Sequence, residues 1–257
     1  MIIDGKKVAN KIKEDLKKEV SMMQIPPTLA VVQVGDDPAS NSYIKAKEKG
    51  CSEVGINFKH LKFKDDINED ELILEIVKLN NDKLVDGILV QLPLPNNLDE
   101  NKVLNTINKD KDVDGLTTIN AGCLFQNNIT LAPCTPLGII KLLEEYNISL
   151  EGKHVVIVGR SNLVSKPLAM LLLEKNATVT ICHSKSINLE KYTKEADILI
   201  SSVGKKHLIR QDMVKDNAVV IDVGISRDNT KLYGDVDFDN VIKKASYITP
   251  TPGGVGP

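Results

Sequence analysis

The fold is decided by residues 155–167, which read Val-Val-Ile-Val-Gly-Arg-Ser-Asn-Leu-Val-Ser-Lys-Pro. An apolar run ends in Gly159 and opens a predicted helix, with Arg160 and Ser161 at the turn, as in a strand–turn–helix unit. The N–H groups at such a helix start favour an anion, so the stretch suits a dinucleotide phosphate. The second and third glycines of Gly-x-Gly-x-x-Gly are missing, which leaves an ordinary βα turn open as the alternative.

The strand that follows indicates which dinucleotide fits. Residues 177–182 predict a strand, and His183, Ser184 and Lys185 come directly after it. An enzyme that uses NAD usually places an acidic residue near this point to bind the ribose 2′-hydroxyl. The sequence has no acid there, whereas Arg160, Ser184 and Lys185 suit a 2′-phosphate. The pattern therefore favours NADP.

The composition excludes several classes of protein. The 257 residues, 42% hydrophobic and 26% charged, are typical of a two-domain globular enzyme, and a net charge of −2 argues against nucleic-acid binding. No apolar run approaches the ~20 residues that span a bilayer. The first residues become charged too early for a secretory signal. Four scattered cysteines predict reduced thiols in a cytoplasmic protein and no metal site.

The hydrophobic pattern predicts two α/β units. The first begins with a helix that has an apolar residue at every fourth position and then alternates strands with helices, which predicts a parallel sheet. Its later predicted elements are a strand at 28–34, a helix after Asp37-Pro38, a strand at 56–63, a helix at 69–80 and a strand at 85–91. A helix at 136–146 connects it to the second unit. The second unit has predicted strands at 154–158, 177–182, 198–202 and 218–223 and a predicted helix at 164–175. Residues 247–257 are expected to form a shaped loop without regular structure.

Chemically useful residues stand at the predicted strand ends and on one helix. Gln91 follows a strand and precedes two prolines, and residues 111–115 present two carboxylates before a glycine. Tyr43 and Lys47 are four residues apart and so share a helix face, where the ring could stack on a flat heterocycle and the amine could transfer protons. The alternative is that these residues only shape ordinary loops and that the lysine-rich helix face is simply solvated.

Taken together, these segments closely resemble the bifunctional methylenetetrahydrofolate dehydrogenase/cyclohydrolase family. The matching segments follow the family's order and cover essentially the whole chain. They are residues 34–40 with 43–47, 87–95, 111–116, 133–136, 159–161, 222–225, 234–236 and 249–257.

The resemblance implies a reaction. It implies NADP-dependent oxidation of 5,10-methylenetetrahydrofolate to the methenyl cation and hydrolysis of that cation to 10-formyltetrahydrofolate. Lys47 is then the proton-transfer group, with Gln91 in contact with it, Tyr43 packed against the folate and Asp114 bound to the pterin edge. The implied folate-lining residues are Pro252, Gly253 and Gly254, and the implied NADP-binding residues are Gly159, Arg160, Ser161, Ser184 and Ile225.

The resemblance also implies an architecture. A folate-binding catalytic α/β domain occupies 1–138, a Rossmann-type NADP domain occupies 139–245, and residues 246–257 return to line the cleft of the first domain. The active site is expected in the cleft between the domains. The partners implied are the folate substrate and a second copy of the chain in a homodimer, with no nucleic acid and no membrane.

Two departures from the family pattern keep alternatives open. Ser165 stands where the family usually has a second glycine, which predicts weaker or shifted cofactor binding. The family normally continues beyond Pro257 into a helix, so a shortened chain is expected to be less stable. The first alternative is a cyclohydrolase with a weak or NAD-preferring dehydrogenase. The second is a noncatalytic dinucleotide-binding module, against which the joint presence of Tyr43, Lys47, Gln91 and Asp114 argues.

Overall fold

The computed structural model describes residues 1–129, 131–228 and 231–257. Their contacts divide the chain into two compact units. One unit is Asn10–Ala132, and the other combines Met1–Ala9 with Pro133–Pro257. No helix within the described ranges has both the length and the apolar character needed to cross a membrane.

The first unit is built on a three-stranded parallel sheet, as its β-α-β pattern predicts. The elements up to residue 132 are α1 (Gly5–Ser21), β1 (Thr28–Val34), α2 (Pro38–Val54), β2 (Asn57–Phe63), α3 (Glu69–Asn81), β3 (Gly87–Val90), α4 (Glu100–Thr106) and α5 (Thr118–Phe125). Strand β1 lies between β2 and β3 and pairs in parallel with both. Side chains on both faces of β1 are buried, because helices cover a parallel sheet on two sides.

Helix α2 begins where its sequence predicts. The Asp37 carboxylate accepts a hydrogen bond from Ser40 N at 2.7 Å, and Pro38 occupies the first turn. The helix ends at Gly55, whose φ of 90° lies in the left-handed region that favours glycine. These two ends fix the helix that carries Tyr43 and Lys47.

The second unit is built on a five-stranded parallel sheet in the order β10-β7-β6-β4-β5. Its elements are α6 (Cys134–Glu145), β4 (His154–Val158), α7 (Ser165–Glu174), β5 (Thr178–Cys182), α8 (Leu189–Thr193), β6 (Ile198–Ser201), β7 (Val219–Asp222), β8 (Ser226–Asp228), β9 (Lys231–Tyr233), α9 (Phe238–Val241) and β10 (Tyr247–Ile248). From β4 the chain continues to β5, which lies on one side of β4, and then crosses to β6, which lies on the other side of β4. The carboxyl ends of β4 and β6 therefore form a topological switch point, which is where open α/β sheets bind ligands.

The prediction of no regular structure at the end of the chain was wrong for Tyr247 and Ile248. These two residues form β10, which pairs in parallel with β7, and Ile3 N donates a hydrogen bond to Ile248 O at 2.8 Å. Ile248 is fully buried. Two apolar residues before Pro250 thus complete the edge of the sheet before the proline-rich and glycine-rich segment begins.

The compact units differ from the predicted domain limits of 1–138, 139–245 and 246–257. The contacts group residues 133–138 and 246–257 with the five-stranded sheet, and they divide the chain within α1. Strand β10 belongs to that sheet through its pairing with β7, which explains the grouping of residues 246–257. The assignment of those residues to the lining of a folate cleft stays a prediction.

Candidate active site

Lys47 and Gln91 meet directly in the first unit. Lys47 Nζ donates a hydrogen bond to Gln91 Oε1 at 2.9 Å. Gln91 itself is held by its neighbours, because its Nε2 donates to Leu92 O at 2.8 Å and its backbone N donates to Val32 O at 2.8 Å. The end of β3 therefore presents an amide oxygen in a fixed place to the lysine of α2.

The structure distinguishes Lys47 from the other lysines of its helix. Lys47 is half-buried, whereas Lys45 and Lys49 are exposed. Lys49 pairs with Glu53 at 3.8 Å, as a solvated helix face predicts. Tyr43 lies one turn before Lys47, and its side chain is 55% exposed, so its ring is accessible for stacking. Lys47 therefore differs from the solvated lysines of this helix in its burial and in its hydrogen bond to Gln91.

The two carboxylates of residues 111–115 have different surroundings. Asp112 is buried and accepts hydrogen bonds from Leu116 N at 3.2 Å, Thr117 N at 2.9 Å and Asn120 Nδ2 at 2.9 Å. It also forms a parallel bridge with Ile88, so the chain runs from Asp112 towards the carboxyl end of β3. Asp114 follows two residues later and is half-buried. Asp112 thus organises the loop, which leaves Asp114 as the candidate ligand.

Gly159 lies at the switch point of the second sheet. Its φ is +140°, and a Cβ added there would lie 2.5 Å from Ser202 Oγ, 2.7 Å from Ser165 Oγ and 2.9 Å from Ser202 O. Ser202 N donates to Val158 O at 2.9 Å, which holds the ends of β4 and β6 together. Only glycine fits this close approach. Sequence reasoning missed Ser202, and a polar residue directly after a predicted strand is the signal that could have found it.

The turn after Gly159 is closed by two serines. Ser161 Oγ accepts hydrogen bonds from Val164 N at 3.2 Å and Ser165 N at 3.3 Å. Ser165 is buried, and its Oγ accepts from Ser161 N at 3.2 Å and lies 3.0 Å from Ser202 Oγ. The Ser165 hydroxyl thus occupies the backbone N–H of Ser161, in the turn that precedes α7. Backbone N–H groups of such a turn can bind a phosphate.

We predict that Ser165→Gly binds NADP more tightly. Removing the hydroxyl frees Ser161 N–H for the cofactor, and one hydrogen bond corresponds to a change in Kd of about 3- to 10-fold. Calorimetric titration with NADP measures it. Ser165→Ala separates the hydroxyl from the Cβ, because it removes only the hydroxyl, and it should therefore also bind NADP more tightly. Equal affinity in the wild type and both variants would contradict the prediction.

The other predicted cofactor residues lie on the same edge or next to it. Arg160 and Ser184 are exposed, and Lys185 N donates to His183 Nδ1 at 3.1 Å, which shapes the turn after β5. Ile225 is 47% exposed after β7, and Val203 is equally exposed after β6. Sequence reasoning missed Val203, because an apolar residue after a strand gives no chemical signal.

Gly253 and Gly254, two of the three predicted folate-lining residues of this segment, contact the start of the chain. Gly5 N donates to Gly253 O at 3.0 Å, and a Cβ on Gly5 would lie 1.6 Å from Gly254 O. The backbones therefore touch, and glycine is required at Gly5. Gly253 has a φ of +102°. These contacts fix the segment, and its role in binding folate stays a prediction.

Asp222 ends β7 as a buried carboxyl group. It is 4% exposed, and it accepts hydrogen bonds from Asp235 N at 2.9 Å and Val236 N at 3.1 Å. Burial raises the pKa of Asp222 to about 7, and the nearby charge of Asp235 adds to the rise. Those two hydrogen bonds and one from Thr251 act in the opposite direction and lower the pKa. Asp222 therefore holds a proton in the folded protein at a pH where the unfolded chain does not.

This pKa predicts a pH dependence of stability. The folded state keeps the Asp222 proton that the unfolded chain releases above about pH 4. The contribution of this group to the stability of the folded state is therefore complete below that pH and is lost as the pH rises through about 7. Between pH 5 and pH 8 the free energy of unfolding of the wild type should fall by about 2–3 kcal/mol relative to Asp222→Asn, which cannot titrate. Urea unfolding of both proteins measures this, and a difference that does not change with pH would contradict it.

No group of three or more His, Cys, Asp or Glu residues in the described ranges is arranged to hold a metal ion. His154 and His60 instead bind side chains of neighbouring strands: His154 Nε2 lies 2.9 Å from Thr180 Oγ1, and His60 Nε2 lies 3.0 Å from Gln33 Oε1.

Comparisons with known proteins cover both units. Residues 3–114 match the family model of the tetrahydrofolate dehydrogenase/cyclohydrolase catalytic domain, and residues 133–257 match that of the NAD(P)-binding domain. The chain is 51% identical to the bifunctional protein FolD of Bacillus anthracis, over 100% of this chain and 91% of that protein.

Two solved structures extend this similarity. The bifunctional methylenetetrahydrofolate dehydrogenase/cyclohydrolase of Campylobacter jejuni is 48% identical, with a TM-score of 0.98 over 100% of this chain and 93% of that one. The Trypanosoma brucei enzyme, solved with NADP and an inhibitor, is 34% identical, with a TM-score of 0.95 over 100% of this chain and 92% of that one.

Proposed function

The chain belongs to the tetrahydrofolate dehydrogenase/cyclohydrolase family, and from this membership we propose how its own residues carry the two reactions. It is a bifunctional enzyme that oxidises 5,10-methylenetetrahydrofolate with NADP and hydrolyses the resulting methenyl cation to 10-formyltetrahydrofolate. The observation that carries the assignment of roles is the 2.9 Å hydrogen bond from Lys47 Nζ to Gln91 Oε1.

The switch point of the second sheet fits NADP. Gly159 lets the ends of β4 and β6 approach closely, because a Cβ there would collide with Ser165 and Ser202. Arg160 and Ser184 are exposed and supply donors without an acid beside them in the sequence. Bound NADP supplies the acceptor for the hydride of the methylene bridge. Gly159, Arg160 and Ser161 hold its phosphates in this proposal, Ser184 contributes to the 2′-phosphate site, and Ile225 packs against it.

Lys47 carries the proton transfers of the cyclohydrolase step. Water adds to the methenyl carbon, and the product keeps its formyl group on N10, so the bond from that carbon to N5 breaks and N5 gains a proton. The water loses two protons as it becomes the formyl oxygen, of which one ends on N5 and the other is released to solvent. Lys47 Nζ takes the proton from the attacking water and delivers a proton to N5. Gln91 positions Nζ through a neutral amide rather than a carboxylate, so the pair is not an ion pair.

The folate is held by residues that do not transfer protons. The exposed ring of Tyr43 stacks on the flat part of the substrate, one helical turn from Lys47. Asp114 accepts hydrogen bonds from the amino group and ring N–H of the pterin, which fixes its orientation. Pro252, Gly253 and Gly254 complete the lining. The support for these roles is the match of these positions to the family motifs.

We predict that Gln91→Glu slows hydrolysis at neutral pH. A carboxylate at this position forms an ion pair with Lys47, which favours the charged amine and opposes its action as a base. The rate of methenyltetrahydrofolate hydrolysis at pH 7 should fall by about 10-fold or more, and the pH profile should move to higher pH. An unchanged profile would contradict the positioning role of Gln91.

We further propose that the enzyme works in the cytoplasm as a homodimer. The four cysteines form no disulfide in the described residues, which suits a reducing compartment. The homodimer rests on the family resemblance. Light scattering of the purified protein tests it, since a dimer has twice the mass of the chain, and a mass equal to one chain over micromolar concentrations would overturn it.

A steady-state assay tests the function. The purified protein is mixed with 5,10-methylenetetrahydrofolate and either NADP or NAD, and the absorbances of reduced cofactor and methenyl intermediate are followed. We expect reduction with NADP in preference to NAD, and loss of methenyl absorbance faster than in buffer. Rapid hydrolysis without reduction would overturn the dehydrogenase assignment, and reduction without accelerated hydrolysis would overturn the cyclohydrolase assignment.

A further inference from the structure

Asp235 is a fully buried carboxylate beyond the end of the five-stranded sheet. Its Oδ2 accepts hydrogen bonds from Val203 N at 2.7 Å and Ser201 Oγ at 2.8 Å, and its Oδ1 accepts from Lys205 N at 2.7 Å. Burying a carboxylate is costly unless its oxygens are satisfied, and here three donors satisfy them. All three donors belong to the segment that leaves β6, so Asp235 fixes the path of residues 201–205.

The segment that leaves β7 lies against the same carboxylate. A Cβ on Gly224 would lie 2.1 Å from the Cγ and Oδ1 of Asp235, and Gly224 N donates to Ser201 O at 3.2 Å. A Cβ on Gly204 would lie 3.4 Å from Ile225 O, so the two segments also approach each other. Asp235 therefore sets the positions of both segments at once.

These two segments carry the exposed apolar side chains at the carboxyl ends of β6 and β7. Val203 follows β6 and Ile225 follows β7, and each is 47% exposed. Both strands belong to the half of the sheet on the β6 side of the switch point. A flat apolar ring system of a dinucleotide is the kind of group that such a pair can hold.

Asp235 is itself held by Asp222. Asp222 accepts from the backbone N atoms of Asp235 and Val236 at 2.9 and 3.1 Å, and a Cβ on Gly234 would lie 1.8 Å from Asp222 Oδ2. Asp222 N in turn donates to Thr249 Oγ1 at 2.7 Å. The two acids thus form a connected buried network, which Asp235 extends to the backbone of Val203.

We propose that Asp235 is a positioning residue for NADP, which holds the segments of Val203 and Ile225 in the conformation that binds the nicotinamide half of the dinucleotide. This inference rests on the proposed function, because it assumes that the edge of the second sheet binds NADP. It assigns a role to an acid that never contacts the cofactor and adds Val203 to the cofactor-binding surface.

The first test is Asp235→Asn, with Asp239→Asn as matched control. An amide has one acceptor oxygen, so in Asp235→Asn at least one of the three donors faces an N–H group instead. The control residue Asp239 is exposed, so its substitution leaves no buried donor without an acceptor. We expect the Kd for NADP to rise about 10-fold or more in Asp235→Asn and to stay within about twofold in Asp239→Asn. Hydrolysis of methenyltetrahydrofolate, which consumes no NADP, reports whether the folate site is intact and should fall less than the affinity for NADP.

The second test is a double-mutant cycle that does not depend on Asp235→Asn folding. Gly224→Ala places a methyl group against the Asp235 carboxylate and should weaken NADP binding about 10-fold. In an Asp235→Ala background the space is open, so adding Gly224→Ala should change the Kd by less than about twofold. Ser201→Ala, which removes one donor, gives a milder version of the same effect.

The outcomes separate the proposal that the enzyme binds NADP from the proposal that Asp235 positions the segments that bind it. Failure of the wild type to bind NADP would overturn the proposed cofactor and this inference together. Wild-type binding with Kd values unchanged in Asp235→Asn and Gly224→Ala would overturn this inference alone. Parallel loss of NADP binding and methenyl hydrolysis in every variant would assign Asp235 a purely structural role and would also overturn it.

Discussion

We expect Lys47→Met to abolish hydrolysis of methenyltetrahydrofolate and to leave NADP binding nearly unchanged. Methionine keeps the length and apolar stem of lysine but cannot exchange a proton, so the rate enhancement from general acid–base catalysis, typically about 10²–10⁴-fold, is lost. The Lys47 amine donates to Gln91 Oε1 at 2.9 Å, and the substitution leaves that amide without this donor. A stopped-flow record of methenyl absorbance measures the rate, and calorimetry measures the Kd for NADP.

Lys45→Met is the matched control for Lys47→Met. Both lysines are on α2, but Lys45 is exposed and lies off the Tyr43–Lys47 face. The control variant should hydrolyse the methenyl compound within about twofold of the wild-type rate, because an exposed lysine contributes little. Wild-type hydrolysis by Lys47→Met would refute the assigned role, and equal loss in both variants would indicate that the charge of the helix face matters rather than Lys47 itself.

We expect Gly159→Ala to remove dehydrogenase activity and to spare hydrolysis. A φ of +140° is strained for any residue with a Cβ, at a cost of about 1–3 kcal/mol. The new methyl group would also lie within 2.9 Å of Ser202 O and nearer still to two serine hydroxyls. The ends of β4 and β6 must then move apart, and a displacement of about 1 Å at a cofactor site can lower the rate about 100-fold.

Gly138→Ala is the control for Gly159→Ala. Gly138 lies within α6, and a Cβ there would meet nothing within 4 Å, so the substitution should leave the rates unchanged and stabilise the helix by about 0.5–1 kcal/mol. NADP reduction and methenyl hydrolysis are measured on each variant beside its melting temperature. Dehydrogenase activity near the wild-type level in Gly159→Ala would show that the turn tolerates a side chain and that the proposed cofactor site does not need the close approach of β4 and β6.

Most of the sheet could be predicted because its strands and helices carry strong local signals. The strands at 28–34 and 154–158 have their predicted limits, and Leu72, Ile76 and Leu79 face inward from α3 as their spacing predicts. The antiparallel pair of β8 and β9 was missed, because these short strands have neither periodicity nor an apolar run. Strand β10 was missed because two residues become a strand only through their partner β7.

The candidate site was predicted in a different way, since the chemistry-bearing residues were found through motifs and not through periodicity. Periodicity placed Tyr43 and Lys47 on one face, but the half-buried position of Lys47 depends on β3 and Gln91. Local sequence could not separate Asp112 from Asp114, because their difference lies in the hydrogen bonds of Asp112 to Thr117 and Asn120. The roles of Lys47, Gln91 and Asp114 stay predictions.

The contacts of the two buried acids could not be predicted from the sequence. Asp222 and Asp235 stand beside glycines in matching motifs, but the sequence does not reveal that each glycine makes room for the other motif's carboxylate. A Cβ on Gly224 would overlap Asp235, and a Cβ on Gly234 would overlap Asp222. Such reciprocal contacts between residues about ten positions apart appear only in the folded chain.

The most direct test of the account follows the hydrogen atoms of the substrate. Purified enzyme is given NADP and 5,10-methylenetetrahydrofolate that carries two deuterium atoms on the bridge carbon, and mass spectrometry locates the label in the products. We expect one deuterium in each reduced NADP and the other in the formyl group of 10-formyltetrahydrofolate. Reduced NADP without deuterium, or a formyl product that does not form faster than in buffer, would contradict the claim that this chain carries out both reactions.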